Sequence, residues 1–135
     1  ACHPVRLLAD CETHTRLPQP LITPASMLPK DVQQSLAEKE LLDFGLVVKT
    51  NTFEFARTHC VLPSSMVIAY ALAVATSGEA SRILLAGFDG YPGDDPRNGE
   101  MQHLLTTYED CHQSLPLLSI TLTRYNLPSR SIYGM

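Results

Sequence analysis

The sequence predicts an α/β domain, a three-layer Rossmann-like arrangement with a mainly parallel sheet. Three observations point there. Short aliphatic or β-branched runs alternate with stretches of helical periodicity, which is the order of strand–helix–strand units. The run Ile83-Leu84-Leu85-Ala86-Gly87-Phe88 is apolar without interruption, as central strands covered on both faces are. The stretch from Met66 to Ala75 is apolar almost all round, which marks a buried helix rather than a surface amphipath. At 135 residues the chain is one domain, by the usual size of ~100–150 residues. That length buries roughly two-thirds of the unfolded surface, enough for a core.

Element by element, Val5–Ala9 reads as a short strand and Cys11–Pro20, polar with two prolines, as a loop. Leu21-Ile22-Thr23 is a second strand, stopped by Pro24. Pro29-Lys30-Asp31 opens a helix, since proline suits the first turn and an acid there meets the dipole. It is expected to run through Val32, Leu36 and Leu41, with Glu38, Lys39 and Glu40 facing solvent. After Gly45, Leu46-Val47-Val48 is β-branched enough for a strand. Thr50–Arg57 fits no template, and Cys60-Val61-Leu62 is a short apolar segment before Pro63. Ser64 starts the clearest helix, with Met66, Val67, Tyr70, Ala71 and Val74 on one face and Gly78 as its C-cap. The central strand follows over Ile83–Phe88, then a polar loop over Gly90–Gly99. A helix over Glu100–Cys111 places Met101, Leu104, Leu105 and Tyr108 on one face. Leu117–Leu122 is the last strand, and Tyr125–Met135 an extended tail packed on the body.

Composition excludes several classes. Hydrophobic residues make up 44% and charged residues 18%, too apolar for a disordered segment. Ten Lys and Arg stand against fourteen Asp and Glu, for a net charge of −4, so there is no basic nucleic-acid footprint. No apolar run reaches the ~18 residues that span a bilayer, so no membrane partner is expected. The chain opens on Ala1-Cys2-His3-Pro4 with no charged start and apolar core of a leader, and reads as a domain excised from a longer polypeptide. The cysteines at 2, 11, 60 and 111 form no C-x-x-C pair. Scattered reduced thiols and no leader predict a cytoplasmic protein. Cys2, His3, Cys11 and His14 lie near one another, but at no common zinc spacing, so no metal site is assigned.

Two stretches carry candidate chemistry. Ligands of open α/β sheets bind beyond the carboxyl ends of the strands. Ser64 and Ser65, at a helix start, offer hydroxyls and free backbone N–H groups to an anion, or simply cap the helix. Asp89 closes the apolar strand and is followed by Tyr91, Asp94, Asp95 and Arg97. Three aspartates in seven residues can hold a sugar hydroxyl or Mg²⁺, or cap the next helix and serve its turn. The expected ligand-binding set is therefore Ser64, Ser65, Asp89, Tyr91, Asp94, Asp95 and Arg97. His103 is an acid–base candidate if it faces the Asp89 loop. Nucleophile-elbow, zinc-protease and P-loop motifs are absent from the sequence, and no catalytic residue is assigned.

The middle of the chain carries a resemblance. Ala69-Tyr70-Ala71-Leu72-Ala73, Ile83-Leu84-Leu85-Ala86-Gly87-Phe88-Asp89-Gly90-Tyr91, and Asp94-Asp95 with Arg97 and Glu100 resemble a C-terminal domain of bacterial 4-hydroxy-2-oxovalerate aldolase-like proteins, of the HMG-CoA-lyase-like superfamily. Ser119-Ile120-Thr121, Tyr125 and Ser131-Ile132-Tyr133 fit the same pattern. The helix-then-strand unit also resembles the Rossmann-like core of bacterial sialyltransferases. Where that group carries glycine ahead of the helix, this chain has Leu62-Pro63-Ser64-Ser65. The resemblance covers roughly residues 60–135. It implies an accessory domain, ligand-binding or regulatory, of an aldolase-like protein linked to surface-polysaccharide metabolism. The lyase chemistry belongs to an upstream barrel of ~250 residues, which is expected to use a divalent metal, while this domain needs no cofactor. The implied ligand is a small anionic sugar or nucleotide-type molecule. Two alternatives stand beside it. One is a sialyltransferase-like glycosyl or nucleotide-sugar enzyme domain, with Asp89 or His103 deprotonating an acceptor hydroxyl. The other is a structural, homo-oligomerising module.

Overall fold

Pro4 opens a helix, not a strand. The structure, a computed structural model, describes residues 1–134, and in it Pro4–Ala9 is α1. The run at 5–9 holds one β-branched residue among Arg, Leu and Ala, all good helix formers, and Pro4 at the first position needs no donor. Cys11–Arg16 is α2 where a loop was expected. An i,i+4 ion pair of Arg16 with Glu12 supports it. Leu21–Thr23 is β1, as expected. A single 3₁₀ turn, Ala25–Met27, leads to α3, Lys30–Ser35.

α3 stops six residues before Leu41, which belongs instead to β2, Leu41–Asp43. Parallel pairing of Leu21 with Leu41 and Thr23 with Asp43 overrides the helical period there. Lys39, expected in solvent, is half-buried and donates from its ammonium to the carbonyl of Leu17, behind α2. Phe44 interrupts the extended chain, which resumes as β3, Gly45–Val48. The two backbone bonds at the break point opposite ways. Phe44 N–H reaches Thr23 O (3.0 Å), and Gly45 N–H reaches Thr58 O (2.9 Å). The stretch thus pairs with β1 first and then with β5, His59–Leu62, in parallel. β4, Glu54–Phe55, lies within the stretch that fitted no template and adds to β5 antiparallel.

α4 runs Val67–Ser77, beginning three residues after the serine expected to start it. Beyond it, β6 is only Ile83–Leu85, and β7 only Leu117–Ser119. They pair in parallel with each other, and no third strand joins them among the described residues. The expected interior rung is therefore a rim strand, and Leu84 is 40% exposed. Gly87, at φ +68, turns the chain away after Leu85. α5 spans Pro96–Glu109, so it takes in the last residues of the expected loop. The architecture is mixed α/β with small, mostly parallel sheets. The tail bridges Ser129 to Ser119, and Tyr125 is buried while Tyr133 is 95% exposed.

Two hydrophobic clusters hold these elements. Leu7, Leu28, Val32 and Leu36 form a small one among α1 and α3. The large one joins α4 (Ala69, Tyr70, Leu72, Ala73) and α5 (Met101, Leu104, Leu105, Tyr108) to Phe44, Phe53, Cys60, Leu62, Leu117 and Tyr125. β1 separates them by its period of two, with Leu21 packed on the small cluster and Ile22 on the large. Tyr108, with no exposed surface, is edge-on to Phe53 (5.4 Å) and Phe55 (6.0 Å). Its hydroxyl sits in a relay. Leu115 N–H donates to it (3.0 Å), it donates to Thr76 Oγ1 (2.7 Å), and that hydroxyl donates to Leu72 O (2.8 Å). Tyr70 OH likewise donates to Phe44 O (2.5 Å). Burial raises the pKa of Tyr70, with the neighbouring thiols adding to the effect. The buried polar ends of both rings are thereby satisfied.

Candidate functional site

The loop after β6 is built by three glycines and two clamps. Gly87, Gly90 and Gly93 have φ of +68, +94 and +64. At Gly90 the side-chain space is also taken, because a Cβ would lie 2.5 Å from Cγ and Cδ of Arg124. The first clamp is Asn98, in the first turn of α5. Its Oδ1 accepts from Tyr91 N–H (2.8 Å) and its Nδ2 donates to Tyr91 O (2.9 Å). The second is the segment after β7. Thr123 Oγ1 donates to Phe88 O (2.6 Å), Arg124 N–H donates to Asp89 O (3.3 Å), and Arg124 Nη1 donates to Tyr91 O (2.6 Å) and Gly93 O (3.0 Å). Tyr125 OH donates to the same Asn98 Oδ1 at 3.3 Å, and Tyr125 packs on Phe88 at 5.7 Å. A cavity of about 260 Å³ remains between these parts, lined by Gly87, Phe88, Gly90, Tyr91, Met101 and Tyr125.

The structure brings together three of the seven expected residues. Asp95 caps α5, accepting from Arg97 N–H at 2.9 Å, and pairs with the Arg97 guanidinium at 2.6 Å. The side-chain bonds from Arg97, then its backbone N–H, hold the Asp95 carboxyl down at about 2. The same guanidinium lies 3.9 Å over the Tyr91 ring. Arg97 is thus spent on Asp95 and Tyr91. Asp89 and Asp94 are exposed. No group of three or more His, Cys, Asp or Glu side chains is placed to hold a metal among the described residues. The three aspartates therefore do not converge, and neither do Cys2, His3, Cys11 and His14.

Ser64 and Ser65 are not part of this site. They do not line its cavity, and they do not cap α4, whose N-cap is Met66 without a side-chain bond. Ser64 Oγ only accepts a long bond, 3.5 Å, from Met66 N–H. The serines and the loop after β6, expected to serve one ligand, therefore do not line this cavity together. His103 is a surface residue and does not face the Asp89 loop. Its Nε2 meets Asn51 Oδ1 at 2.9 Å, beside a different cavity with Phe53 and Cys111. At about 100° per residue, positions 101 and 103 lie on opposite sides of a helix, so Met101 takes the site and His103 turns away.

The residues that sequence reasoning missed are Asn98, Met101, Arg124 and Tyr125. Asn98 carried a weak signal, an amide in the first turn of a helix beside a glycine-rich loop. Met101 was read only as core. Arg124 and Tyr125 carried none, because they reach the loop from 33 and 27 positions along the chain. Comparison with protein-family models, with curated proteins and with solved structures finds no match to this chain.

Proposed function

We propose that this chain is a ligand-binding accessory domain that takes a small acidic sugar in the cavity at the carboxyl end of β6. One observation carries the reading. A glycine-turned loop is held rigid by Asn98 and Arg124 around a cavity with aromatic walls at Phe88, Tyr91 and Tyr125. Rigid loops, aromatic faces and a few fixed polar groups are the means by which small-ligand sites bind. The cavity, about 260 Å³, has room for one sugar ring. Arg97 is neutralised by Asp95, whereas Arg124 bonds only to backbone carbonyls among the described residues. Arg124 packs against Gly90 of the cavity lining and has no carboxylate partner among the described residues, so it is the cation assigned to a ligand carboxylate. Attachment to an aldolase-like parent and to surface-polysaccharide metabolism rests on the sequence resemblance over roughly residues 60–135.

Calorimetric titration with glucuronate and with glucose tests the reading. Glucuronate is expected to bind and glucose to bind about tenfold more weakly, the loss of one charge-assisted contact. Arg124→Lys keeps the charge but loosens the clamp on Tyr91 O and Gly93 O, and should weaken glucuronate more than glucose. Equal binding of both sugars, or no saturable heat from either in the millimolar range, would falsify it.

A further inference from the structure

A larger cavity lies at the opposite end of β6 and β7, where both strands begin. It measures about 750 Å³. Three connections meet there: Ala56-Arg57 between β4 and β5, Glu79-Ala80 after α4, and Gln113–Leu115 ahead of β7. Arg57 and Glu79 are the charged groups of its lining. Both are exposed, and among the described residues neither makes an ion pair within 4.0 Å, with the other or with a third group.

Glu79 is in an unfavourable place for the fold on two counts. α4 ends in a Schellman arrangement, with Ala80 N–H on Ala75 O (3.2 Å) and Glu79 N–H on Thr76 O (3.1 Å). The left-handed position of that motif, normally glycine, holds Glu79 at φ +57, while Gly78 sits one place early at φ −82. A carboxylate there also faces the negative end of the α4 dipole. Together they make a wall that attracts cations. Arg57, on a separate connection of the same cavity, attracts anions, and Phe55 and Leu115 supply apolar surface between polar ones.

We propose that this cavity binds a small zwitterion, an aliphatic α-amino acid or dipeptide. Its ammonium meets Glu79 and the α4 carboxyl end, its carboxylate meets Arg57, and its side chain lies against Phe55 and Leu115. The site is separate from the loop after β6 and does not depend on what that loop binds.

Amide spectra of the ¹⁵N-labelled chain, titrated with L-leucine and L-leucyl-L-alanine, test this. Saturable shifts are expected at residues 57, 79, 80, 113 and 115. Isovalerate and isopentylamine, each carrying one of the two charges, should bind about tenfold more weakly. Glu79→Gly should raise Tm, by relieving the left-handed strain, and yet weaken the zwitterion about tenfold. Arg57→Gln should weaken it similarly with Tm unchanged. The absence of saturable shifts from both zwitterions overturns the proposal. So does zwitterion binding that both variants leave intact, or isovalerate binding as well as leucine.

Discussion

The small and large hydrophobic clusters lie on either side of β1 and are built on different terms. The small one has four aliphatic side chains, Leu7 and Val32 on short helices and Leu28 and Leu36 just beyond helix ends. α1, α2 and α3 have six residues each, and none has a side-chain cap among the described residues. Helices this short do not stand alone in water, so they depend on the packing of Leu7, Leu28, Val32 and Leu36, helped only by exposed contacts such as the Arg16–Glu12 pair. The large cluster has α4 at 11 residues, α5 at 14, and an Asp95 cap. Tyr108 and Tyr70 add hydroxyls that tie helix to sheet and to the connection before β7. The difference teaches where the molecule opens first. Local unfolding follows few apolar contacts and uncapped ends, which places it at the amino-terminal helices, away from the cavities at the two ends of β6.

Paired truncations probe this contrast most strongly. Leu105 and Leu36 are both fully buried. Leu105→Ala should cost about 3–5 kcal/mol in urea unfolding, and Leu36→Ala only about 2, because the small cluster can collapse around the gap. Equal costs would mean one cooperative core and would break the contrast. Tyr108→Phe comes next. It strands Leu115 N–H and the Thr76 hydroxyl partner, and should cost about 1–3 kcal/mol by the same measurement. Thiol labelling with a disulfide reagent follows. Cys11 packs on the small cluster and Cys60 in the large one, where burial lifts its thiol to about 11. Cys11 should react at least about tenfold faster at neutral pH, and equal rates would again join the clusters.

Thr23 lies at the seam and gives a smaller effect. It is fully buried, and its hydroxyl has no partner among the described residues. Thr23→Val should leave stability unchanged or raise it by about 1 kcal/mol. A clear loss would reveal a bond the hydroxyl makes. Acid titration gives the smallest effect. The Asp95 carboxyl is held down at about 2, against 3.8 when free. Its stabilising share is complete above pH 4 and is lost as pH falls through 2. Asp95→Asn keeps the cap and should flatten that part of the Tm–pH profile while leaving neutral Tm nearly in place.

Of the two helices in the large cluster, α5 was legible in its face and α4 was not: Val67 is 55% exposed and Ala71 exposed, while Ala69, Tyr70, Leu72 and Ala73 are buried, because a stretch apolar at nearly every position singles out no face. Met101, Leu104, Leu105 and Tyr108 are all buried, as their i, i+3, i+4, i+7 pattern requires. β1 and β3 were legible from aliphatic and β-branched runs. The amino-terminal run at 5–9 was not, since five residues of Val, Arg, Leu, Leu and Ala fit a strand or a helix equally well. Of the site, Tyr91, Asp95 and Arg97 were legible because they meet within one loop. Ser64 and Ser65 were expected at the helix start and lie ahead of it, because the start of α4 is not marked by a side-chain cap.

By itself the amino-acid order determined the α/β class, the buried face of α5, and the glycine-rich polar loop ahead of it. These follow from local period, propensity and turn chemistry, which act over a few residues. Only the tertiary structure decided that β6 is a rim strand, that Leu41 pairs with Leu21, and that Arg124 and Asn98 shape the cavity. Each of those depends on backbone or side-chain hydrogen bonds between distant segments, and such bonds leave no period in the chain.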